Sequence, residues 1–379
     1  MPTNPIALAQ DLIRRRSVTP TDDGALDVLG QALEAIGFRV RRMRFGAVDN
    51  LYARFGDGGR NFCFAGHTDV VPVGDEAAWS VPPFAAVVRD GWLIGRGAAD
   101  MKAAIAAFVA AAHDAIDDGA ARGSISLLIT GDEEGPAIDG TRRVLETLAA
   151  EGERIDHCLV GEPTSVDLVG DVIKNGRRGS LNAVVLVTGK QGHAAYPHLA
   201  ANPVSALLDL MQSLRARRLD DGAPGFDPSN LEVTTLDVGN PAHNVIPARA
   251  EGKFNIRFNT HHYGAALLDW IEAQRGAVEA AHPGVRIEIQ ARATGEPFYT
   301  TPGPFTDLMA DAVRTVTGRT ASLSTSGGTS DARFIKSICP VAELGLQNAT
   351  AHMVDERVRV EDVETLRAIY RAALKSYFA

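Results

Sequence analysis

The side chains of this chain that could do chemistry are histidines and carboxylates in five short, well-separated segments. The segments are Gly66-His67-Thr68-Asp69, Gly97-Ala98-Ala99-Asp100, Asp132-Glu133-Glu134-Gly135, Gly161-Glu162 and Ala351-His352. Two histidines and three carboxylates of these segments can be metal ligands, and at least one carboxylate stays unligated. In two-metal hydrolytic sites, carboxylates bridge the metals and complete their shells, and a spare carboxylate moves the proton. The segments therefore indicate a metal-dependent hydrolase.

Each segment taken alone also has a plainer explanation. In an extended segment His67 and Asp69 point the same way, so Asp69 can hold the second ring nitrogen of His67; a surface turn is the alternative. Asp100 can reach two metals at once or cap the helix that follows it. Glu133 and Glu134 form either a solvated acidic loop or a turn in which one binds metal and the other contacts water. Burial would raise the pKa of that second carboxyl towards the range of a general base.

Strands and helices alternate over the first part of the chain, which predicts an α/β fold. The predicted strands are Asn61–Ala65, Ser124–Thr130 and His157–Val160, and the predicted helices are Asn4–Arg16, Ala25–Ile36 and Met101–Ile116. His67, the glutamate pair and Glu162 each follow the C-terminal end of one of these strands. Ligands of open α/β sheets bind at those ends, so the motif positions and the fold pattern agree.

The pattern changes near Ser180. Strands are then predicted at Leu181–Thr188, Asn230–Val238, Arg249–Asn259 and Val285–Gln290, with helices at Asn202–Arg218 and Gly264–Ala281. This β-α-β-β-α-β order is typical of a small two-layer domain. We therefore predict a catalytic metal-binding domain, residues 1–179 and 296–379, with a mixed, largely parallel sheet flanked by helices. An inserted lid or dimerisation domain spans residues 180–295. Its apolar strand 183–187 is expected to expose an edge that pairs with another chain.

The bulk composition excludes several classes of protein. The 379 residues are natural for two domains, and 45% hydrophobic with 22% charged residues is an ordinary globular balance. The net charge of −9 argues against a nucleic-acid partner. The longest apolar helical run, 103–112, is too short for a bilayer, and we expect neither a signal peptide nor a membrane partner. Three isolated cysteines, Cys63, Cys158 and Cys339, suggest a reducing compartment, the cytoplasm.

Two further features suit the recognition of a carboxylate. The loop 326–331, Ser-Gly-Gly-Thr-Ser-Asp, is glycine-rich and lacks a Walker lysine, so its backbone N–H groups can bind a carboxylate or an oxyanion. Arg177, Arg178 and Arg257 carry guanidinium forks that match carboxylates. A flexible surface loop and ordinary surface charge are the alternatives.

Short sequence motifs are distributed over nearly the whole chain. In order they are GHTDVVP, GRGAADMK, GDEEGPA, GEPT, GRRGS, GHAAYPH, HNVIPA, SGGTSDARF and NATAHMVDE. They resemble the dinuclear-zinc deacylase and carboxypeptidase family, which includes acetylornithine deacetylases, aminoacylases and glutamate carboxypeptidases. Two positions depart from the family pattern, because Ala103 and Ala332 stand where glycine is common. Neither change removes a ligand.

The resemblance implies roles for individual residues. Two zinc ions per subunit, for which cobalt can substitute, would be held by His67, Asp100 as the bridge, Glu134, Glu162 and His352. Glu133 would be the general acid/base, Asp69 would orient His67, and His193 would stabilise the oxyanion in the partner subunit's site. The substrate's carboxylates would meet Arg177, Asn244, Arg257, Gly328 and Thr329.

Within that family, the strings GDEEGPAIDGT, NGRRGS and STSGGTSDARFI resemble the members that act on N-succinyl-LL-2,6-diaminopimelate. The implied activity is hydrolysis of this small molecule to succinate and LL-2,6-diaminopimelate, on the lysine route, by a homodimer formed through the inserted domain. The alternatives are deacetylation of acetylornithine, hydrolysis of another N-acyl-amino acid or a dipeptide, and a non-catalytic metal-binding homologue. Glu133 argues against the last, since a scaffold needs no unligated acid beside its metals.

Overall fold

The computed structural model describes residues 3–379 and separates them into two units. The larger unit contains the described residues up to Asn175 together with Thr300–Ser324 and Ser330–Ala379. The smaller unit contains Gly176–Tyr299 and Thr325–Thr329. That the smaller unit acts as a lid or a dimerisation domain stays a prediction.

The helices follow the amphipathic patterns of the sequence. They are α1 (Pro5–Ile13), α2 (Ala25–Glu34), α3 (Ala103–Asp117), α4 (Thr141–Ala150), α5 (Pro203–Ala216), α6 (Gly264–Ala281), α7 (Pro304–Thr317), α8 (Ala332–Ile335) and α9 (Val360–Phe378). Asn4 caps α1, because its side-chain oxygen accepts the N–H groups of Ile6 and Ala7 at 2.9 and 3.1 Å. The regular part of α3 begins at Ala103, two residues later than predicted, since Ala98–Lys102 forms a π-helical turn.

The strands divide between the two units. They are β1 (Arg39–Phe45), β2 (Val48–Phe55), β3 (Asn61–His67), β4 (Val87–Arg89), β5 (Trp92–Ile94), β6 (Ser124–Thr130), β7 (His157–Val160), β8 (Val172–Lys174), β9 (Gly176–Arg177), β10 (Gly179–Thr188), β11 (Gly192–His193), β12 (Asn230–Asp237), β13 (Val245–Ile246), β14 (Arg249–Phe258), β15 (Arg286–Gly295), β16 (Phe298–Tyr299), β17 (Ser322–Ser324), β18 (Val341–Glu343) and β19 (Arg357–Arg359).

The larger unit is organised by a mixed sheet in the order β1-β2-β6-β3-β7-β18-β8-β17. Its centre, β6-β3-β7-β18, is parallel, and the antiparallel pairs lie outside that centre. The central strands β3 and β6 are buried throughout, as expected for strands covered on both faces. The predicted α/β class with a mixed, largely parallel sheet flanked by helices is confirmed.

The alanine-rich helix α3 is the centre of the larger unit's core. Eleven of its fifteen residues are buried, and Phe108 stacks on Phe64 of β3 with ring centroids 4.2 Å apart. Tyr370 of α9 meets both rings edge-on at 5.7 Å. Small alanine side chains let neighbouring elements approach closely, so this packing holds the strand that ends at His67.

The smaller unit has a four-stranded antiparallel sheet in the order β12-β14-β10-β15. Helices α5 and α6 lie between its strands in the chain, which completes the β-α-β-β-α-β order. Apolar side chains of α5 and α6 form one core cluster with the inward residues of β10, β14 and β15.

One expectation about the smaller unit is wrong. The apolar run 183–187 lies in β10, which pairs with β14 on one side and β15 on the other, so it exposes no edge. Ala183, Val185 and Val187 face the core, whereas Val184 is 37% exposed on the opposite face. The apolar side chains of a strand reflect the burial of its faces and a high β propensity, whereas an edge is decided by the number of strands that pair with it. The edges of this sheet are β12 and β15.

Candidate metal centre

Neighbouring parallel strands bring three predicted ligands to one edge of the large sheet. His67 ends β3, Glu134 comes four residues after the end of β6, and Glu162 comes two residues after the end of β7. His67 pairs in register with Thr130, so β3 and β6 end level. Gly161 must be small, because a Cβ there would lie 2.4 Å from the Phe64 ring.

The five predicted ligands fall into two groups that share Asp100. His67, Asp100 and Glu162 form one group, and Asp100, Glu134 and His352 form the other. His67 Nε2 lies 3.1 Å from Asp100 Oδ1 and 3.6 Å from Glu162 Oε1. His352 Nε2 lies 3.0 Å from Asp100 Oδ2 and 2.9 Å from Glu134 Oε1. Each oxygen of Asp100 therefore faces a different group, as a bridging carboxylate would require.

These donor atoms fit a pair of zinc-like ions. Tetrahedral coordination with Zn–N and Zn–O bonds of about 2.0–2.1 Å places neighbouring donors roughly 3.3 Å apart. The separations from His67 and His352 to the carboxylates lie between 2.9 and 3.6 Å, on either side of that value. Imidazole nitrogen in each group also differs from the all-oxygen shells that calcium and magnesium prefer.

In both ligand groups, the histidines and the carboxylates shift one another's pKa values. Burial opposes protonation of His67, but the Asp100, Asp69 and Glu162 carboxylates outweigh it and hold its pKa well above the usual value. Hydrogen bonds to Asp100 and Glu134 raise the pKa of His352 to about 10. Burial opposes ionisation of Asp100, yet the His352 and His67 contacts hold its pKa well below the usual range. In the metal-free protein, protonation of the two histidines would offset part of the negative charge of these carboxylates.

Glu133 differs from its neighbour Glu134. Among the described residues, the groups able to hold a metal include Glu134 and leave out Glu133. Burial raises the pKa of the Glu133 carboxyl well above its usual value, and the nearby Glu162 carboxylate raises it further. A carboxyl with a raised pKa beside metal ligands suits proton transfer near neutral pH. The division of roles between the two glutamates stays a prediction.

Asp69 contacts more than the imidazole. The ring nitrogen Nδ1 of His67 lies 2.9 Å from the main-chain oxygen of Asp69 and 3.6 Å from its carboxylate. The carboxylate instead accepts the hydroxyl of Thr19 at 2.6 Å and the backbone N–H of Glu134 at 3.1 Å, with that of Glu133 at 3.4 Å. Asp69 thus connects the His67 segment to the turn that carries both glutamates.

Sequence reasoning missed three residues that position this site: Thr19, Arg96 and Glu356. Thr19 holds Asp69, and Arg96 and Glu356 form a buried pair behind Asp100 and His352. Arg96 and Glu356 stand within four residues of a predicted ligand, inside the strings GRGAADMK and NATAHMVDE, but neither string indicates a role for them. Their pairing across 260 residues of chain leaves no trace in a single sequence.

The predicted substrate contacts belong to the smaller unit. Arg177 is buried there, and its Nη1 donates to the carbonyl of Gly328 at 3.0 Å, which brings it to the glycine-rich loop beside Thr329. Arg257 lies on β14, where burial and the neighbouring Arg178 guanidinium lower its pKa. Within the described part of the chain, no carboxylate forms an ion pair with Arg257.

His193 and Asn244 lie together on an exposed part of the smaller unit. The short strands β11 and β13 pair there, and the N–H of Ala194 donates to the carbonyl of Asn244 at 2.9 Å. His193 Nδ1 accepts the backbone N–H of Ala195 at 3.0 Å. That bond leaves the proton of a neutral ring on Nε2, so His193 presents an outward hydrogen-bond donor.

The two departures from the family pattern fit the structure without strain. Ala103 is the first residue of α3, and Ala332 is the first residue of α8. Both are buried, and neither has the positive φ that would favour glycine. Their methyl groups therefore sit in helical positions that alanine suits well.

The sequence model of peptidase family M20/M25/M40 matches residues 63–376 of this chain. The chain belongs to that family. It is an M20 hydrolase, and the family's use of metal agrees with the two groups of ligands. No helix among the described residues is long and apolar enough to cross a membrane.

Curated relatives cover almost the whole of this M20 chain. The succinyl-diaminopimelate desuccinylase of Maricaulis maris is 61% identical over 375 residues, covering 99% of this chain and 96% of the relative. The protein of the same name from Caulobacter vibrioides is 58% identical over 376 residues, with the same coverage.

Solved structures of M20 proteins share the fold at low sequence identity. The metallo-carboxypeptidase Sso-CP2 of Sulfolobus solfataricus superimposes with a TM-score of 0.82 at 18% identity, covering 99% of both chains. The YXEP protein of Bacillus subtilis, described as a dinuclear metal-binding peptidase, gives a TM-score of 0.71 at 17% identity, covering 98% of this chain and 97% of its own. These likenesses show the fold.

Proposed function

We propose that this chain hydrolyses the amide bond of N-succinyl-LL-2,6-diaminopimelate to succinate and LL-2,6-diaminopimelate, a step of lysine and diaminopimelate biosynthesis. The observation that carries the proposal is the pair of ligand groups sharing Asp100, with Glu133 beside them but outside both. The names of relatives at 58–61% identity over nearly the full chain support the same substrate.

The metal ions are proposed to be zinc, with cobalt as a substitute. His67, Asp100 and Glu162 would hold one ion, and Asp100, Glu134 and His352 the other. When bound, such ions act as Lewis acids and lower the pKa of water. The three buried free cysteines support a reducing, cytoplasmic setting for the protein.

Proton transfer is assigned to Glu133. Its carboxylate would take a proton from the water that attacks the amide carbonyl and later give it to the leaving amine. One water is consumed, the C–N bond breaks, and the carbonyl carbon becomes the second carboxyl group of succinate. Burial and the nearby Glu162 carboxylate raise the pKa of the Glu133 carboxyl well above its usual value. This supports the role, because a raised pKa makes the carboxylate a better proton acceptor from water.

Substrate recognition is assigned to the smaller unit of a homodimer. Arg177, Arg257 and the loop at Gly328 and Thr329 would bind the substrate's carboxylates. Asn244 would also contact those carboxylates. His193 would act on the partner subunit's site, with its Nε2 proton donated to the oxyanion. The exposure of His193 supports a role away from its own fold.

A comparison of two substrates tests this function. Metal-free protein is reconstituted with zinc, and release of succinate from N-succinyl-LL-2,6-diaminopimelate is measured beside release of acetate from N-acetylornithine. Binding of the extra carboxylate by arginine predicts a kcat/KM at least about tenfold higher for the succinylated substrate. Equal values, or a preference for the acetylated compound, would replace the proposed substrate by that of an acetylornithine deacetylase.

Arg257→Lys tests the carboxylate contact separately. Lysine keeps the charge but loses the guanidinium fork, so KM for the succinylated substrate should rise while metal content stays unchanged. Arg249→Lys is the matched control. Arg249 lies on the same strand, and its exposed side chain forms a long ion pair of 3.6 Å with Glu251. If both variants keep the parental KM, Arg257 is ordinary surface charge.

A further inference from the structure

A buried ion pair lies directly behind the two ligand groups. The side chains of Arg96 and Glu356 are 2% and 0% exposed, and Arg96 Nη1 lies 2.6 Å from Glu356 Oε2. Moving two charges out of water costs several kcal/mol per ion, which their mutual attraction repays only with excellent geometry and further hydrogen bonds. The other partners of the pair show what it does.

Glu356 holds the turn that carries Asp100. Its Oε1 accepts the backbone N–H groups of Ala99 at 2.8 Å and Asp100 at 3.0 Å. Its Oε2 accepts the N–H of Gly97 at 3.0 Å. Three amides at the start of a helix-like turn thus point at one carboxylate, and the position of Asp100 follows from that of Glu356.

Arg96 holds the segment that carries His352. Its Nη2 donates to the main-chain carbonyl of His352 at 3.3 Å and to that of Pro72 at 3.3 Å, and its Nη1 donates to Met353 at 3.2 Å. His352 has a φ of +63°, a left-handed conformation that is strained for a non-glycine residue. The guanidinium contacts to two consecutive carbonyls stabilise this conformation.

We propose that Arg96 and Glu356 are positioning residues for the metal centre, acting as one unit. Two ligands of the group Asp100, Glu134 and His352 stand on segments that the pair holds. In the other group, only the shared Asp100 stands on a segment that the pair holds. Loss of the pair should therefore weaken metal binding at the His352 group more than at the His67 group. The inference rests on the metal centre of the proposed function.

The double variant Arg96→Met with Glu356→Gln tests the inference without leaving a buried charge unpaired. The Gln carbonyl can still accept the amides of Ala99 and Asp100, while the His352 carbonyl loses its donor. Zinc and cobalt binding are measured by equilibrium dialysis, and the cobalt absorption spectrum reports the ligand geometry. Removal of residues that orient metal ligands typically weakens affinity about 10–100-fold, and we expect that loss for one of the two ions.

A second variant and a control separate positioning from folding. Arg96→Lys keeps the charge beside Glu356 but cannot donate to all three carbonyls, so it should weaken the same ion to a smaller extent. The control is Arg41→Met with Glu151→Gln, which removes an exposed ion pair of 2.7 Å in the same unit. Its binding of both ions should match that of the wild type.

The outcomes are distinct. Weakening by tenfold or more at the His352 group, with binding at the His67 group within about threefold of the wild type, supports the positioning role. Wild-type affinity for both ions, equal weakening of both, or weakening at the His67 group alone would overturn it. Failure of the metal centre itself would appear differently, because the wild-type chain would then bind no pair of ions.

Discussion

At the residue scale, the two histidines of the ligand groups carry protons that a metal ion must displace. The pKa of His67 is raised well above its usual value, and that of His352 is raised to about 10. These contacts therefore favour the protonated form of both rings in the metal-free protein. A histidine binds metal only when its coordinating nitrogen is unprotonated, so proton release accompanies metal binding.

This balance predicts that zinc binding at pH 7 releases about two protons per chain, one from each histidine. Because the raised pKa values favour the protonated rings, affinity should increase as pH rises from 7 towards 10 and fall in acid. Calorimetric titrations in buffers of different ionisation enthalpy give the number of protons. Fewer than one proton released at pH 7, with no change of affinity between pH 7 and 9, would contradict the charge balance.

At the element scale, the ends of three parallel strands determine the positions of most of the metal ligands. The strands that end near His67, Glu134 and Glu162 could be predicted because each is a buried apolar run followed by a polar turn. Their parallel pairing then brings the ends together. His352 lies in a loop with left-handed backbone, so no strand end marks its position.

The features that escaped prediction depend on pairing between distant segments. We expected an exposed edge at residues 183–187, because the sequence of a strand does not determine how many strands pair with it. In the structure this strand pairs with β14 and β15. Periodicity reports which face of a strand is buried, whereas sheet order comes from long-range contacts. The Arg96–Glu356 ion pair could not be predicted from the sequence for the same reason.

A loop of the smaller unit depends on one carboxylate, Asp220. It accepts the N–H groups of Gly222 at 2.7 Å and Ser229 at 3.2 Å, and the side-chain amide of Asn259 at 2.7 Å. It also lies 2.9 Å from a ring nitrogen of His262. Although burial opposes ionisation, hydrogen bonds from Ser229, Gly222 and Asn259 hold the pKa of Asp220 below its usual value. The loop before β12 is thereby tied to the end of β14.

Asp220→Asn should destabilise the smaller unit by about 1–3 kcal/mol, because the N–H groups of Gly222, Ser229 and Asn259 lose a charged acceptor. A folded-state pKa below the unfolded one means that the ionised group stabilises above about pH 4, and that this contribution fades as pH falls. The variant should therefore lose less stability than the wild type between pH 5 and pH 3. Thermal unfolding followed by circular dichroism checks this.

The control for that prediction is the neighbour Asp221→Asn, whose side chain is 76% exposed. It should unfold like the wild type at both pH values. If the Asp220 variant is as stable as this control at pH 7, the carboxylate does not tie the loop.

At the scale of the whole molecule, the proposed homodimer predicts complementation between two inactive chains. In a mixed dimer of a His193→Ala chain and a Glu133→Ala chain, both defects would fall in one composite site. The other site would be intact, so about half of the wild-type activity should return. Differently tagged chains allow the mixed dimer to be purified and its size checked by analytical ultracentrifugation. A mixed dimer as inactive as either parent, or a fully active monomeric wild type, would contradict the role of His193 across subunits.

The central claim is a metal centre in which Glu134 binds metal and Glu133 moves the proton. Metal content and the rate of succinate release, measured on the same preparations of Glu133→Ala and Glu134→Ala, test it most directly. Glu133→Ala should keep two metal ions per chain and lose activity by about 10²–10⁴-fold, as removal of a general acid/base does. Glu134→Ala should lose metal. Equal metal loss in the two variants, or wild-type activity in Glu133→Ala, would contradict the account.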